Sequence, residues 1–196
     1  MTVNDAENLT PFRVKTKAFD PDKWVYDQST DTLFRYSLGT RGARTLVCFG
    51  INPSTASPED LDNTVLLVEK RALNSDYDSF MMFNIYAQRA TNPDHMDKVE
   101  NLEVSAENIK VISRLINELC AQQGHVDIWA AWGTNVEKRA YLRTALKKIY
   151  AIMVGRNCNW LHVGELTKAG HPRHPLYLPR NLPFLSFDIK AYLKSL

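Results

Sequence analysis

Asn52, Asn84, His171 and His174 are the residues of this chain whose types and settings suit chemistry. Asn52 follows the apolar run Leu46–Phe49 and the pair Gly50-Ile51, and it is followed by Pro53. Proline fixes its own φ and pushes the preceding residue out of the helical region, so Asn52-Pro53 is a rigid turn. A carboxamide offers one acceptor and two donors but is a feeble base. Asn52 therefore suits orienting a water or a ligand; the same dipeptide also serves simply as turn geometry. Asn84 closes a second apolar run, Phe80–Phe83, where its amide either meets a ligand or bonds the backbone at a strand end. His171-Pro-Arg-His174-Pro places two imidazoles on an extended loop, as proton donors or as groups that order the loop.

Other chemistries are disfavoured. The sequence contains no Gly-x-Gly-x-x-Gly, no Gly-x-x-x-x-Gly-Lys and no Gly-x-Ser-x-Gly, so dinucleotide binding, P-loop phosphate binding and a nucleophile elbow lose their usual signals. His171 and His174, even with His162, make a poor metal site, because His-Pro-Arg-His is an extended loop spacing with no acid or cysteine partner nearby. Cys48, Cys120 and Cys158 have no Cys-x-x-Cys spacing and read as buried thiols. No metal and no cofactor are expected.

Elements must bring these residues together. The 196 residues, 44% hydrophobic and 23% charged, suit one folded domain of ordinary size. Residues 1–22 read as a polar arm and 23–196 as a single α/β domain. Trp24–Tyr26 and Leu33–Tyr36 flank a turn-rich stretch and predict a β-hairpin. Leu46–Phe49, Phe80–Phe83, Val126–Trp132 and Asn159–Val163 read as buried strands. Helices are expected from Ser57-Pro58-Glu59 to about Asn74, over Ser105–Gln122 with Gly124 as its stop, after a Thr134-x-x-Glu137 capping box, and over Asp188–Leu193. This alternation predicts a three-layer αβα sandwich with a mostly parallel, four-stranded sheet. The strand ends then share one rim, where Asn52, Asn84, Gly133 and the His171 loop converge. Arg139, Arg143 and Lys147 recur every four residues and read first as a solvated helix face. The net charge of +2 announces no strong polyanion binder, so any basic surface must be local. No apolar run reaches membrane-spanning length, and the N-terminus is unlike a signal peptide; a cytoplasmic monomer is expected.

Four ordered phrases, over about residues 44 to 180, carry a resemblance. Gly50-Ile-Asn-Pro-Ser54 resembles the first motif of the uracil-DNA glycosylase superfamily, closest to Gly-Ile-Asn-Pro-Gly of the mismatch-specific thymine/uracil branch. Phe83-Asn-Ile-Tyr-Ala-Gln-Arg-Ala90 resembles the strand whose terminal asparagine reads an extruded base. Trp129-Ala-Ala-Trp-Gly133 resembles that family's Leu-Leu-Trp-Gly segment, and Gly170-His-Pro-Arg-His-Pro-Leu176 its His-Pro-Ser-Pro-Leu motif. Asn-Pro-Ser-Thr-Ala and Gly-His-Pro-Arg-His-Pro-Leu-Tyr-Leu-Pro also resemble a bacterial and phage branch whose members carry both phrases. There are departures: Asn52 stands where the classical family has aspartate, Ser54 replaces a glycine, and the histidine motif is doubled. His171 is slightly favoured for the catalytic place, because His171-Pro172 matches the motif's start.

The resemblance implies a uracil-DNA glycosylase-like fold and a DNA glycosylase that frees a damaged, mismatched or modified base, phage-modified bases included. The role would be repair or defence. Asn52 and His171 or His174 would be catalytic, with Asp62 as a candidate base. Asn84, Phe49, Tyr86 and Ile51 would contact the flipped base. Ser54, Arg89, Arg139, Arg173 and Arg180 would hold DNA, with Leu176 and Tyr177 as a wedge in the stack. Tyr86 and Tyr177 also read as packing residues. Two other readings stay open: a non-catalytic nucleic-acid or nucleotide-binding module, and an enzyme acting on a free nucleoside or nucleotide.

Overall fold

The computed structural model describes Val14–Lys15 and residues 20–196. The expected arm over residues 1–22 lies mostly outside these. Val14–Lys15 (β1) pairs antiparallel with Asp60–Leu61 (β5).

A seven-stranded mixed sheet organises the rest. Its strands are Trp24–Gln28 (β2), Arg35–Thr40 (β3), Thr45–Gly50 (β4), Ser79–Asn84 (β6), Val126–Ala130 (β7), Cys158–Val163 (β8) and Phe184–Ser186 (β9). Their spatial order is β2-β3-β6-β4-β7-β8-β9. β6, β4, β7 and β8 are mutually parallel and carry the four expected apolar runs. The sheet nevertheless exceeds the four strands expected. The expected hairpin, β2–β3, joins it antiparallel along β6, and β9 pairs antiparallel with β8. Both additions cover parallel edges that would otherwise expose unpaired backbone groups.

The helices are Asn63–Leu73 (α1), Leu102–Gln123 (α2), Ala140–Met153 (α3) and Ile189–Ser195 (α4). Crossovers between parallel strands are right-handed, so the direction of travel across the sheet chooses the face. The chain steps one way from β4 to β6 through α1. It then steps back past β4 to β7 and on to β8 through α2 and α3. α1 accordingly packs on one face, where Val65, Val68 and Ala72 meet Leu46, Cys48, Phe80 and Trp129. α2, α3 and α4 cover the other, over Val47, Phe49, Met81, Phe83 and Ile128. Neighbouring strand residues alternate between these two cores, as the pleat requires. Where the chain reverses direction, the carboxyl ends of β4, β6 and β7 leave a crevice.

Two helix starts differ from expectation. α1 begins at Asn63, not near Ser57, because Asp62 caps it by accepting from Val65 N at 2.9 Å, and the chain before it is spent on β5. Thr134–Glu137 lies in a 3-10 turn over Gly133–Glu137, and α3 starts only after Arg139. α2 runs from Asn101, its cap, to Gly124, which ends it with φ +78°. Cys48 is buried; Cys120 and Cys158 are half-buried, and all three are free thiols. Among the described residues no helix is long and apolar enough to cross a membrane, and no cluster of three His, Cys, Asp or Glu could hold a metal.

Gly39 marks the tightest junction of the hairpin with the sheet. A Cβ there would stand 2.2 Å from Phe80 O and 2.8 Å from Met81 Cα, both backbone atoms. Gly39→Ala is expected to lower stability by about 1–3 kcal/mol or more, read from urea unfolding. An unchanged midpoint would mean that β3 does not need this close approach.

Candidate functional site

The crevice is a cleft of about 560 Å³, within the roughly 300–1,000 Å³ usual for small-molecule sites. Gly50–Thr55, Asn84, Gly133–Asn135, Thr167, Arg173 and His174 line it, with Arg35 and Asp62–Val65 on the α1 side. The strand ends thus bring Asn52, Asn84 and Gly133 together, as the alternation of elements predicts.

Asn84 brings an unpaired amide to the site. It is 1% exposed, and neither its Nδ2 nor its Oδ1 has a hydrogen-bond partner among the described residues. Its backbone is satisfied separately, because Asn108 Nδ2 on α2 donates to Asn84 O at 3.0 Å. The side chain is therefore not needed to finish the strand. Leaving a buried amide unpaired costs about 1–3 kcal/mol, which a ligand edge would recover. Gly50 faces Asn84 across the β4–β6 ladder. A Cβ on Gly50 would lie 2.8 Å from Asn84 Oδ1 and 2.7 Å from Met82 Cε, so the missing side chain leaves room for the amide.

Asn52 is anchored differently. Its Nδ2 donates to Ala90 O at 2.7 Å and Pro53 O at 3.0 Å, with Gln88 O at 3.4 Å. Three carbonyls fix which end of the amide is nitrogen. Oδ1 accepts from no described residue and is the atom left for a water or ligand. Arg89 ties down the same loop: Nη1 donates to Ser54 O and Ala56 O, and Nη2 to Tyr26 OH.

The doubled histidines separate into two roles. His174 lines the cleft and packs against Gly133, which has φ +65° and would place a Cβ 3.5 Å from His174 Cβ. Its Nδ1 accepts from Leu176 N at 3.4 Å, which leaves the ring proton on Nε2. Burial pushes this imidazole down to about 4, against the opposing pull of the Asp62 charge. His174 is thus a neutral N–H donor at pH 7. His171 is 2% exposed and lies outside the cleft lining. Trp132 Nε1 donates to Tyr192 OH at 3.0 Å, and Tyr192 OH is hydrogen-bonded to His171 Nδ1 at 2.8 Å. His171 Nε2 faces Glu137 Oε1 at 3.4 Å without hydrogen-bond geometry. Pro172 O next to it accepts from Gly133 N at 3.0 Å. His171 anchors the loop that presents His174; of the two histidines expected to be catalytic, His174 is the one that lines the cleft.

Other expected contacts sort by position. Ile51, Ser54 and Arg173 line the cleft, and Leu176 and Tyr177 stand at its edge, Tyr177 75% exposed. Phe49 and Tyr86 do not reach it. Phe49 is stacked on Trp160 at 5.8 Å in the core, and Tyr86 is buried with its OH donating to Asp97 Oδ2 at 2.7 Å. Arg139 donates to Asp94 O, Met96 O, Asp97 O and Lys138 O, so its guanidinium serves a loop. Arg89 is committed to its own loop, and Arg180 is exposed outside the cleft lining.

Arg35 escapes the sequence reading. It sits in an aromatic hairpin, where alternation alone leaves its face ambiguous. A β-bulge decides it: Asp27 pairs with Ser37 but Gln28 with Arg35, so Tyr36 is the extra residue. Tyr36 packs on the α2 side while Arg35 joins the cleft on the α1 side.

Two outcomes test this geometry. Asn52→Asp would set a carboxylate against three carbonyls, and is expected to cost about 1–3 kcal/mol in urea unfolding at pH 7. A stability equal to wild type would mean that the Asn52 amide is not the anchor of its loop. For His174, the folded state takes up its proton near pH 4 and the unfolded state near 6.5. Its stability contribution is complete above about pH 6.5 and declines toward pH 4, by up to about 3 kcal/mol. Between pH 7 and 4.5 wild type should therefore lose more stability than His174→Asn; equal losses would refute the buried neutral imidazole.

No curated protein and no solved structure matches the chain. A family model described as "Protein of unknown function (DUF1643)" matches residues 35–176, a span that begins at Arg35 and takes in every cleft residue except Tyr177. That span is more than two thirds of the sequence, and the chain belongs to this family.

Proposed function

We propose that this protein is a DNA glycosylase that hydrolyses the N-glycosidic bond of a damaged, mismatched or modified base flipped out of DNA. The observation that carries the reading is the buried, unpartnered amide of Asn84, in one cleft with a neutral histidine donor. A carboxamide with both ends empty complements a base edge that pairs one donor with one acceptor.

The roles follow from what each group has left to offer. Asn84 holds the base edge. His174 Nε2–H donates to the base oxygen on which charge develops, in a site that shields the bond from bulk water. Asn52 Oδ1 holds a water beneath the anomeric carbon. Asp62, the one carboxylate on the described lining, takes the proton that this water sheds. The carbon–nitrogen bond breaks with its electron pair leaving on the base, and the water oxygen bonds to the sugar carbon. Leu176 and Tyr177, exposed on the turn next to His174, fill the space of the extruded nucleotide.

One observation favours a second reading, an enzyme acting on a free nucleotide. Arg89 and Arg139, which a long DNA track would need, spend their guanidinium groups on internal partners.

The test is a panel of single- and double-stranded oligonucleotides carrying uracil, thymine mismatches, modified pyrimidines and deaminated purines. Released base is read by mass spectrometry and abasic sites by alkaline cleavage. One member should release its base, and His174→Ala should slow that release by about 100-fold or more. Asn84→Ala should abolish discrimination between bases. Release at the wild-type rate by His174→Ala would sink the mechanism. Release from mononucleotides and from no oligonucleotide would establish the second reading instead.

A further inference from the structure

Arg35 is 1% exposed, yet its bonding is incomplete. Nη1 donates to Ala56 O at 3.0 Å. Nε is buried without a partner, and Nη2 donates to no described residue. The Nε–Nη2 edge is the side of a guanidinium that grips an oxyanion with two parallel hydrogen bonds. Here that edge is empty on a side chain lining the cleft.

The charge balance points the same way. Burial, which leaves this residue 1% exposed, pulls Arg35 down to about 10. Asp62 opposes that pull, whereas Arg89, which shares the Ala56 carbonyl with Arg35, adds to it. Two cations thus face one carboxylate, and Arg173 adds a further cation to the lining. Residues Asn63 and Thr64, in the first turn of α1, line the cleft too, directly after Asp62, whose charge acts on Arg35. Their backbone N–H groups have no intrahelical acceptor, and the helix dipole makes this end positive. Asp62 serves Val65 N alone among these donors.

We propose that Arg35 and the first turn of α1 form a phosphate subsite in the floor of the cleft, which takes a phosphoryl group of the substrate. The donors come from a strand side chain and from a helix end, two separate elements, and would meet one group from different sides. They suit a tetrahedral group with three acceptor oxygens better than a planar carboxylate. The inference rests on the nucleotide reading of the cleft given above, but not on catalysis.

Calorimetry with deoxynucleosides, their 5′-monophosphates, inorganic phosphate and trinucleotides tests it. The trinucleotides carry either natural or uncharged methylphosphonate linkages. Wild type should bind one charged form about tenfold or more tightly than its uncharged counterpart. A preference for the monophosphate marks a free monoester; a preference found only between the trinucleotides marks a backbone diester. Arg35→Gln should remove the preference and Arg35→Lys restore part of it. Thr64→Glu keeps the fold, since an acid suits a helix N-terminus, and should also remove it. Equal binding of charged and uncharged forms by wild type overturns the subsite, as does a full preference in folded Arg35→Gln or Thr64→Glu. Base release plays no part in this readout, so the subsite and the glycosylase reading fail separately.

Discussion

The site depends on a junction where two parallel strands end side by side. Gly50 closes β4, Asn84 closes β6, and the missing side chain of the first gives room to the amide of the second. Any other residue at position 50 would press on Asn84 Oδ1. The junction lies where the chain reverses its direction of travel across the sheet, so right-handed crossovers send the helices to opposite faces and leave a crevice between them. One backbone constraint thus makes both the space and the polar group that faces it. Asn108 completes the arrangement from α2 by satisfying the Asn84 carbonyl, so the amide is free of structural duty.

Around this fixed point the protein divides similar residues by what burial and bonding leave available. Asn52 spends its donors on three carbonyls and keeps an acceptor, while Asn84 keeps both. His171 is absorbed into a buried chain with Trp132 and Tyr192, and His174 is held neutral at the cleft. Tyr192 belongs to the last helix, so α4 helps to set the loop that presents His174. Arg71 contributes from α1, where it donates to Pro179 O and Leu182 O and lies 5.6 Å from the Trp129 ring. The histidine loop is therefore clamped between two helices on opposite faces of the sheet. A donor held this way needs little reorganisation when charge develops opposite it.

The arginines illustrate how side chains of one type part company. Arg89 and Arg139 are long enough to reach a nucleic acid, but each finds several carbonyl or hydroxyl oxygens in its own loops first. Arg35 finds only Ala56 O and keeps its bidentate edge. Its burial makes that edge valuable, because an oxyanion interacts more strongly with a poorly solvated guanidinium than with one in water.

The amino-acid sequence by itself determined the parallel strands, the helices between them and the rim on which Asn52, Asn84 and Gly133 meet. Those follow from local periodicity, turn chemistry and the handedness of crossovers, each readable in a short window. It also marked Gly50-Ile-Asn-Pro and His-Pro-Arg-His as places for chemistry. Tertiary structure alone decided the rest. The hairpin joined the sheet because β6 had an open edge, and α1 started only after Asp62 because residues 60–61 were claimed by a strand partner. Phe49 went to the core because the strand pleat turned it there, and Tyr86, beyond the end of β6, because Asp97 holds its hydroxyl. His174 rather than His171 faced the cleft because Tyr192, 21 residues further along the chain, captured the other ring. Arg35 entered the site through a bulge defined only by its pairing with β2. All of these depend on partners distant in sequence, which no local pattern encodes.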